Sequence, residues 1–406
     1  MSNVGFKIGV NASFLRKPDS GIGQVTFYFI KKLGELQKRN SRFKIILYLE
    51  EDFDAAYFQT NFNLPVNFEK KVLVNRFYKR DDLVRKIIWE KCLLPRAVKK
   101  DGCDLLFSLY QSTTVTTTPH IMLVHDTVWK IFPEYLNNWR KRVYYWLVDQ
   151  AIKKTDKILT VSENSKRDAI KYFKLAPEKI QTAWIDCDEI YKKKVKKERL
   201  NKVLRKYGLN EKEKYIFYVG GFDARKNLTG LFEAYGKLFR IMLKEEIPNL
   251  VLAGKFNAHL TPLVTDLPRK IKETAKEYIF SKDKIKQIGF VEQADLPALY
   301  SGAELFCYPS LYEGFGMPPL EAQNIGCPLI VLRNSSLREL FDNKGAIMID
   351  ENNPEKIAQA MKKILVNQEV KNELVQAGRE NAGKFSWESF VGHFWQMAEE
   401  LVFSKK

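Results

Sequence analysis

The segment EGFGMPPLE, residues 313 to 321, carries two glutamates at its ends and two glycines and two prolines between them. It follows the apolar run ELFCYPS, which predicts a buried strand that ends in an exposed turn at Glu313. Pro319 fits the first turn of a helix, so Glu321 is expected about one turn inside that helix. A carboxylate accepts two hydroxyl hydrogen bonds at once, which suits sugar rings and ribose diols. In a chain without the segment GGFDARKN, Glu321 alone would rather be interpreted as a helix-dipole partner.

The residues between the two glutamates form a row of backbone donors. Consecutive N–H groups are expected from Gly314, Phe315, Gly316 and Met317, ahead of the two prolines. The spacing would let one glutamate hold a sugar and the other a ribose, with a diphosphate between them. The segment therefore predicts a site for a nucleotide sugar.

A second segment, GGFDARKN at residues 220 to 227, follows the apolar run YIFYV. Gly220 and Gly221 let the backbone approach a ligand closely. Arg225 and Lys226 stand near the start of the next predicted helix, where free N–H groups already favour an anion. These features outline a phosphate site. A glycine turn followed by two solvated cations is the alternative for this segment alone.

Both segments lie in a chain of alternating strand and helix patterns. Several strands are nearly continuous apolar runs, as expected for parallel strands that are buried on both faces. The predicted strands are FKIGVNA, FKIILYL, DLLFSLY, HIMLVHD and KILTVS in the first half, and YIFYVGG, NLVLAGK, IKQIGF, ELFCYPS and PLIVLRN in the second. The predicted helices include QVTFYFIKKLGELQKR, WRKRVYYWLVDQAIKK, LTGLFEAYGKLFRIML and PEKIAQAMKKILVN. This order predicts an α/β fold with two doubly wound domains, whose ligands bind at the carboxyl ends of the strands.

The chain of 406 residues exceeds what one hydrophobic core usually organises, which also favours two domains. The seam is expected within 188–212, where charge is dense and apolar residues are few, giving domains at 1–190 and 191–385. The segment 386–406 predicts an amphipathic helix that is opened by Ser386 as its N-cap.

Composition narrows the class of protein further. Five widely spaced cysteines without a CxxC pair argue against a disulfide framework and against a zinc site. The N-terminus lacks the basic region, long apolar core and cleavage site of a signal peptide. No apolar run of about 18 residues indicates a membrane span. We therefore expect a cytoplasmic protein.

The formal net charge is +18, and basic residues concentrate at 76–100 and 191–208. The first stretch, RFYKRDDLVRKIIWEKCLLPRAVKK, mixes cations with large apolar residues, a composition suited to a surface helix that touches anionic lipid. The alternative is a solvated helix whose apolar side packs on its own domain. Nucleic acid is not expected as a partner, because no recognition module can be read in the sequence.

These motifs resemble a known family. The quoted GGFDARKN, the run GFVEQADLPALYSGAELFCYPSLYEGFGMPPLEAQNIGCPLIV, and the earlier HDTVWKIFPEY and TVSENSKRDAI are similar to segments of the retaining GT-B glycosyltransferases of family 4. This large family includes sucrose synthases and bacterial mannosyltransferases. The resemblance is strongest over 215–342 and recognisable in order across nearly the whole chain. It implies two Rossmann-like domains that face each other across a cleft, the first binding the acceptor and the second the nucleotide sugar. It also implies that the helix in 386–406 packs back on the first domain.

The resemblance assigns roles to matching residues. Glu313 would contact the donor sugar hydroxyls and Glu321 the ribose, while Arg225 and Lys226 would bind the donor diphosphate. His125 would lie beside the transferred sugar, although a buried, hydrogen-bonded histidine at a strand end is the alternative for this residue.

Further donor contacts are implied in the first domain. Asp126 follows His125 at the same predicted strand end. The glycine loop SGIGQ, with Gly21 and Gly23, would close over the phosphates. Family members often place a basic residue directly after this GIG, whereas this chain has Gln24.

A mechanism follows from the charges. Cleavage of the bond between sugar and diphosphate puts negative charge on the leaving group, which Arg225 and Lys226 can stabilise. The resemblance favours a front-face reaction in which a leaving-group phosphate oxygen, and not His125, helps to deprotonate the acceptor. No metal and no cofactor besides the donor substrate are expected.

The predicted function is transfer of mannose onto a glycan or lipid-linked acceptor in cell-surface polysaccharide synthesis. PSLYEGFGMPPLEA most resembles the mannosyltransferases, which favours GDP-mannose as donor over a UDP-sugar. Such an enzyme would work in the cytoplasm, in peripheral contact with the inner face of the membrane through 76–100.

Other functions fit parts of the sequence less well. A dinucleotide-dependent oxidoreductase would use GIGQVT at 21–26, but Thr26 stands where a small residue is wanted. A glycoside hydrolase could use Glu313 and Glu321 as its carboxylate pair, yet hydrolysis has no use for the two cations after the double glycine. A nucleotide-sugar-binding protein that has lost catalysis is a third alternative. The presence of the full set His125, Arg225, Lys226, Glu313 and Glu321 argues against it.

The pair Asp186 and Asp188 in IDCDEIY imitates the metal-binding DxD motif of the other glycosyltransferase fold. Both residues fall near the domain seam and not after a strand in the middle of a domain. We therefore interpret them as loop residues.

Overall fold

The computed structural model describes residues 6–18, 20–37, 43–51, 67–74, 82–254 and 263–403. The chain divides into two compact units, Met1–Ile185 with Ser386–Lys406, and Asp186–Phe385. The division after Ile185 lies slightly before the expected seam at 188–212.

The first unit is built on a seven-stranded parallel sheet in the order β3-β2-β1-β4-β5-β6-β7. Its strands are β1 Phe6–Asn11, β2 Phe43–Leu49, β3 Phe68–Val72, β4 Leu105–Ser108, β5 His120–Val124, β6 Lys157–Thr160 and β7 Ile180–Thr182. Its helices up to the seam are α1 Gly21–Gln37, α2 Asp82–Ile88, α3 Leu94–Lys100, α4 Val128–Ile131, α5 Trp139–Lys154 and α6 Glu163–Phe173. Every residue of β4 and β5 is buried, which explains why these strands are continuous apolar runs.

The second unit holds a six-stranded parallel sheet in the order β10-β9-β8-β11-β12-β13. Its strands are β8 Tyr215–Val219, β9 Asn249–Ala253, β10 Ile285–Gly289, β11 Leu305–Tyr308, β12 Leu329–Leu332 and β13 Ala346–Ile349. Its helices are α7 Lys197–Lys206, α8 Leu228–Ile241, α9 Leu267–Glu277, α10 Leu296–Gly302, α11 Met317–Ile325, α12 Ser335–Phe341, α13 Pro354–Val366 and α14 Gln368–Ala382. In both units the strand order reverses around the first strand, so the two units share the doubly wound arrangement.

The last helix, α15 Trp387–Phe403, belongs to the first unit. Ser386 caps it as predicted, because its Oγ accepts hydrogen bonds from the N–H groups of Glu388 and Ser389 at 3.1 and 3.3 Å. Phe390 and Phe394 pack edge-on against Phe29 of α1. These aromatic contacts hold the C-terminal helix to the unit in which the chain begins.

All ten predicted strands are present, but three observed strands were not predicted. β3, β7 and β13 each lie at the edge of a sheet. Strand β3 has the sequence FEKKV, and β7 is only three residues long. As edge strands, β3 and β7 bury less of their surface and lack the continuous apolar run by which the central strands were recognised, whereas β13 carries the run AIMI and was not recognised.

The basic stretch 76–100 forms a helix that is packed on its own domain over the residues that the structure describes. Residues 76–81 lie outside the described residues, and the rest forms α2, a π-helical turn at Trp89–Leu93, and α3. Trp89 is fully buried, and the Arg85 guanidinium lies 3.0 Å from the Glu50 carboxylate inside the unit. The helix thus packs apolar residues on its own domain and turns Arg85 and Lys86 inward, while contact with anionic lipid stays a prediction. In the part of the chain that the structure describes, no helix is both long and apolar enough to cross a membrane.

Candidate functional site

The double glycine after β8 lies where two backbone segments meet. The Gly220 N–H donates to the Ala253 carbonyl at 3.1 Å, which ties the end of β8 to the end of β9. A Cβ added to Gly254 would stand 2.1 Å from the Gly220 carbonyl oxygen, so a side chain cannot be placed there. At Gly221 an added Cβ would stand 2.9 Å from an Asp223 carboxylate oxygen. The glycines thus serve close approach between loops of this sheet edge.

The two predicted cations follow on a short 3-10 helix at Ala224–Lys226, directly before α8. Asn227 ends this turn in a left-handed conformation with φ of 58°, and its side chain accepts a hydrogen bond from the Gly230 N–H at 3.2 Å. The same amide group donates to the Pro309 carbonyl at 3.1 Å. Asn227 therefore fixes the cations next to the loop that follows β11.

Arg225 and Lys226 both contact Glu313. The Lys226 ammonium donates to Glu313 Oε1 at 2.6 Å, and the Arg225 guanidinium donates to Glu313 Oε2 at 3.0 Å. The hydroxyls of Tyr308 and Ser310 donate to the same Oε1 at 3.0 and 2.6 Å. We call these five residues the Glu313 cluster.

The predicted exposed turn at Glu313 is wrong. Glu313 is only 8% exposed, because its carboxylate is enclosed by the cations and hydroxyls of the cluster. Burial alone would raise the pKa of Glu313, but Lys226 and Arg225 outweigh it and lower this pKa to about 2. Burial, reinforced by the nearby Arg225, lowers the pKa of Lys226, and Glu313 opposes that shift. With the carboxylate ionised and 2.6 Å away, we assign Lys226 as an ammonium.

The backbone beyond Glu313 is held by the start of α12. The Glu313 N–H donates to Ser335 Oγ at 3.0 Å, and the Ser336 hydroxyl donates to the Glu313 carbonyl at 2.9 Å. Gly316 has φ of 125°, and an added Cβ would stand 2.8 Å from Leu337. The predicted donor residues Gly314, Phe315 and Gly316 therefore form a pinned turn, and Met317 is the first residue of α11.

Glu321 lies in α11, as predicted, but outside the Glu313 cluster. It is 6% exposed, and the Tyr300 hydroxyl donates to Glu321 Oε2 at 2.9 Å. Burial raises its pKa to about 7, although hydrogen bonds from Tyr300 and Tyr191 work in the opposite direction. A carboxylate that titrates near neutrality is not a permanent partner for a helix dipole, because it carries a full charge only at higher pH.

His125 follows β5 in the first unit. Its Nε2 lies 2.9 Å from the Leu109 carbonyl oxygen, which can only accept, so we assign the imidazole proton to Nε2. The Ser165 hydroxyl donates to the His125 carbonyl at 2.8 Å. Burial lowers the pKa of His125, while the Leu109 carbonyl and Asp126 raise it. The ring is therefore expected to be neutral at neutral pH, with Nδ1 as its acceptor.

The remaining predicted residues of the first unit serve local structure. Asp126 accepts a hydrogen bond from the Val128 N–H at 3.2 Å and so helps to begin α4. The SGIGQ segment is not a loop, because Gly21 is the first residue of α1. A Cβ added to Gly23 would stand 2.1 Å from the Lys17 carbonyl oxygen, whereas one added to Gly21 would meet nothing within 4 Å.

Asp186 and Asp188 are engaged with their own chain segment. Asp186 Oδ2 accepts a hydrogen bond from the Lys192 ammonium at 2.6 Å. Asp188 accepts from the Ile190 N–H at 3.1 Å and caps the short 3-10 helix Glu189–Lys192. Within the described ranges, no group of three or more His, Cys, Asp and Glu side chains is arranged to hold a metal ion.

The structure thus joins three of the predicted residues directly, Arg225, Lys226 and Glu313. Glu321 accepts a hydrogen bond from Tyr300 in the same unit, and His125, Asp126, Gly21 and Gly23 belong to the other unit. Sequence reasoning missed the hydroxyl groups that complete the Glu313 cluster and pin its turn. Their signal was present in the polar residues at the ends of two apolar strands: Tyr308 ends β11 and Ser310 follows it, and RNSS follows β12.

Family models match most of the chain. Residues 201–381 match the model described as Glycosyl transferases group 1, and residues 26–183 match Glycosyltransferase Family 4. O-antigen chain mannosyltransferase B of Escherichia coli is 31% identical over 265 residues, which are 65% of this chain and 66% of that protein. Serotype-specific mannosyltransferase WbdA of the same species is 28% identical over 269 residues, 66% of this chain but only 32% of WbdA. The chain therefore spans slightly less than two thirds of the first relative and about a third of the second.

A longer match at lower identity covers nearly all of both proteins. O-antigen chain mannosyltransferase RfbU of Salmonella typhimurium is 25% identical over 361 residues, 87% of this chain and 90% of that protein.

Solved structures share the fold. A glycosyltransferase from Rickettsia africae superposes with a TM-score of 0.71 at 16% identity, over 98% of this chain and 99% of that chain. WaaG, a glycosyltransferase involved in lipopolysaccharide biosynthesis, gives a TM-score of 0.71 at 15% identity over the same shares. The two family models fall on the two units, and the fold is shared along almost the whole length; the chain belongs to the GT-B glycosyltransferases of family 4.

Proposed function

We propose that this protein is a retaining mannosyltransferase that moves mannose from GDP-mannose onto a glycan or lipid-linked acceptor in cell-surface polysaccharide synthesis. The observation that carries the proposal is the Glu313 cluster, in which two cations and a carboxylate meet at the carboxyl edge of the second sheet. The names of the O-antigen relatives support mannose as the sugar.

The cluster offers both kinds of group that a sugar diphosphate needs. The N–H donors of Arg225 and Lys226 suit diphosphate oxygens, and the Glu313 carboxylate suits sugar hydroxyls. Asp223 lies 3.6 Å from Arg225, so these four side chains are together formally neutral. Attraction for the donor then comes from directed N–H groups more than from an excess of positive charge.

The same groups can lower the barrier to sugar transfer. As the bond to the diphosphate breaks, negative charge grows on the leaving oxygen and positive charge on the anomeric carbon. Because Arg225 and Lys226 are held in place by Glu313 before the donor arrives, they need little reorganisation to stabilise that charge. We propose that this preorganised pair makes a metal or a further cofactor unnecessary.

The group that removes the proton from the acceptor hydroxyl is assigned to the nucleotide sugar and not to a side chain of the protein. The Nε2 proton of His125 is directed at the Leu109 carbonyl, and burial lowers the pKa of this histidine. We therefore propose that a phosphate oxygen of the departing GDP takes the acceptor proton, and that His125 orients the sugar. Retention of the anomeric configuration would follow from attack on the same face from which GDP leaves.

A direct test measures sugar transfer with GDP-mannose, UDP-glucose and UDP-galactose, using mannose oligosaccharides and bacterial lipid extracts as acceptors. Of the three donors, we expect only GDP-mannose to react, with release of GDP and formation of an α-mannoside that NMR detects. The reaction should continue in the presence of a chelator. Lys226→Met should weaken GDP binding by roughly 30-fold or more, since it truncates a buried charge partner. Lys237→Met is the matched control, because Lys237 forms a surface pair with Glu355 at 2.7 Å.

Each other outcome has a defined meaning. Transfer from a UDP-sugar in place of GDP-mannose would show that the donor assignment is wrong while the transferase remains. Tight GDP-mannose binding without transfer to any acceptor would favour a catalytically inactive binding protein. Loss of all transfer on chelation would contradict the metal-independent mechanism.

A cytoplasmic, membrane-peripheral location is part of the same proposal, since a lipid-linked acceptor is presented at a membrane face. The stretch 76–100 no longer supports it as first expected, because Arg85 is buried beside Glu50 and Lys86 lies among aromatic rings.

A further inference from the structure

Helix α5 presents an exposed apolar face in the first unit. Trp139 is 70% exposed, Val143 43% and Trp146 58%. Because these positions are four and three residues apart, the three side chains lie on one face of the helix. The two tryptophans are about 10 Å apart along the axis, at 1.5 Å per residue.

The opposite face of α5 is firmly packed. It contributes four buried side chains to the core of the first unit, namely Tyr144, Val148, Ala151 and Ile152. Asn138 caps the helix, because its side chain accepts a hydrogen bond from the Lys141 N–H at 2.9 Å. The exposed tryptophans therefore stand on a well-anchored helix, and their exposure does not result from a frayed helix end.

Cations surround the exposed apolar residues. The helix WRKRVYYWLVDQAIKK carries five basic residues after Trp139, at Arg140, Lys141, Arg142, Lys153 and Lys154. The helix has a single acid, Asp149, which accepts hydrogen bonds from the Trp129 indole and the Lys130 ammonium. Arg142 donates to the Leu136 carbonyl at 3.1 Å and remains exposed. Among the described residues, no ion pair engages Arg142, Lys153 or Lys154.

On a helical wheel the cations flank the apolar residues. At 100° per residue, Arg142 and Lys153 fall on one side of the line from Trp139 to Trp146, and Arg140 and Lys154 on the other. We define Trp139, Arg142, Val143, Trp146 and Lys153 as the α5 face. The α5 face thus combines apolar side chains with flanking cations, and the single acid of the helix is already hydrogen-bonded. Such a face is complementary to a surface that has an apolar interior and negative charges along its boundary with water.

We propose that the α5 face docks this protein on the surface of an anionic lipid bilayer. Tryptophan rings favour the depth of the lipid headgroups, where their apolar body and N–H group are both satisfied. Arginine and lysine beside them meet lipid phosphates within the range over which surface potential acts. The helix would lie in the plane of the interface, with Tyr144 and Val148 keeping it attached to the protein.

The inference rests on the proposed function only for the reason why this enzyme should meet a membrane. Lipid binding itself needs no donor, no acceptor and no turnover. It can therefore fail while mannose transfer to a soluble acceptor stands, and it can hold in a protein that transfers another sugar.

The test is flotation of the full chain with vesicles of phosphatidylcholine, with and without phosphatidylglycerol, at low and high salt. Wild type should float with the anionic vesicles and be released by salt. The double variant Trp139→Ala/Trp146→Ala and the charge variant Arg142→Glu/Lys153→Glu should each bind the anionic vesicles roughly tenfold more weakly or worse. GDP binding and thermal unfolding should match wild type in both, which shows that the fold is intact.

Matched control variants lie in the second unit. Leu243→Ala/Ile279→Ala removes two apolar residues that are 67% and 75% exposed, and Lys212→Glu/Lys282→Glu reverses two exposed lysines. Both should float like wild type. Absence of flotation in wild type, equal binding to vesicles without phosphatidylglycerol, or undiminished binding of the α5 variants would each overturn the proposal. A wild-type dimer that the tryptophan variant loses, without any lipid binding, would assign the face to a second copy instead.

Discussion

The ammonium of Lys226 lies 2.6 Å from Glu313 Oε1, although the two residues are 87 positions apart in the chain. Lys226 follows β8 and Glu313 follows β11, and these strands are neighbours in the second sheet. The parallel sheet therefore brings both loops to one edge, where the carboxylate and the ammonium are almost completely buried together. Each depends on the other for its charge, which makes the stability of the protein sensitive to the loss of either one.

The Glu313→Gln variant keeps the shape of the side chain but removes the negative charge between the buried Lys226 and the partly buried Arg225. We expect the free energy of unfolding to fall by about 3 to 5 kcal/mol, as when a buried ion pair loses one partner. Chemical denaturation of wild type and variant measures this. Glu355→Gln is the control, because Glu355 belongs to a surface pair, and such a pair contributes at most about 1 kcal/mol.

GDP should partly restore the Glu313→Gln variant, since its diphosphate can supply the missing negative charge. We expect saturating GDP to raise the unfolding temperature of the variant by more than that of wild type. An equal or smaller rise in the variant would show that the diphosphate does not reach Arg225 and Lys226.

Glu321 should make stability fall as pH rises. Its pKa is raised from 4.5 to about 7, so between these values the unfolded chain loses a proton that the folded chain keeps. Stability from this group is fully present below about pH 4.5 and is lost by about pH 7, by up to about 3 kcal/mol. Denaturation curves of wild type and Glu321→Gln across this range measure the difference between them.

The unfolding free energy of Glu321→Gln should rise relative to that of wild type as pH rises, and the difference between the two should become constant above about pH 7. GDP affinity of wild type should increase over the same range, because the ionised carboxylate accepts ribose hydroxyls better. A difference that does not change with pH would mean that Glu321 does not titrate in this window.

His120 should make the protein sensitive to acid. This histidine is buried at the start of β5, its Nε2 lies 2.9 Å from Ser108 Oγ, and burial lowers its pKa from 6.5 to about 4. Between these values the unfolded chain takes up a proton that the folded chain refuses, so stability falls as pH drops, by up to about 3 kcal/mol. The His120→Asn variant should lack this loss. If both proteins lose stability in parallel between about pH 6.5 and about pH 4, another group is responsible.

Gly23 and Gly21 should respond differently to the same substitution. An alanine at Gly23 would place its Cβ 2.1 Å from the Lys17 carbonyl oxygen, so the start of α1 must shift. We expect Gly23→Ala to cost about 2 kcal/mol in unfolding free energy, as for overpacking. Gly21→Ala has open space and should be neutral or stabilising by up to about 1 kcal/mol, because alanine favours a helix. Equal effects in thermal unfolding would refute the steric argument.

The parallel core and the sheet edge that carries the candidate site could be predicted from the sequence alone. A central parallel strand is buried on both faces, so it needs apolar residues at successive positions. Runs such as those in LLFS and HIMLV can therefore be recognised in the sequence. The spacing of Glu313 and Glu321 on either side of a glycine turn likewise requires only local geometry. The edge strands β3 and β7 could not be predicted in this way, because FEKKV and IQT contain no such run.

Burial and orientation were decided by the tertiary structure. The sequence places Glu313 in a turn, but the neighbouring loop with Arg225 and Lys226 determines that it is buried and ionised. In α5, aromatic residues occur on several sides of the helix, so the pattern does not tell which of them faces outward. Packing against α2 and α6 buries Tyr144 and leaves Trp139 and Trp146 exposed. The physical reason is the same in both cases. A sequence pattern describes neighbours within a few residues, whereas the burial of a side chain depends on distant segments that only the folded protein brings together.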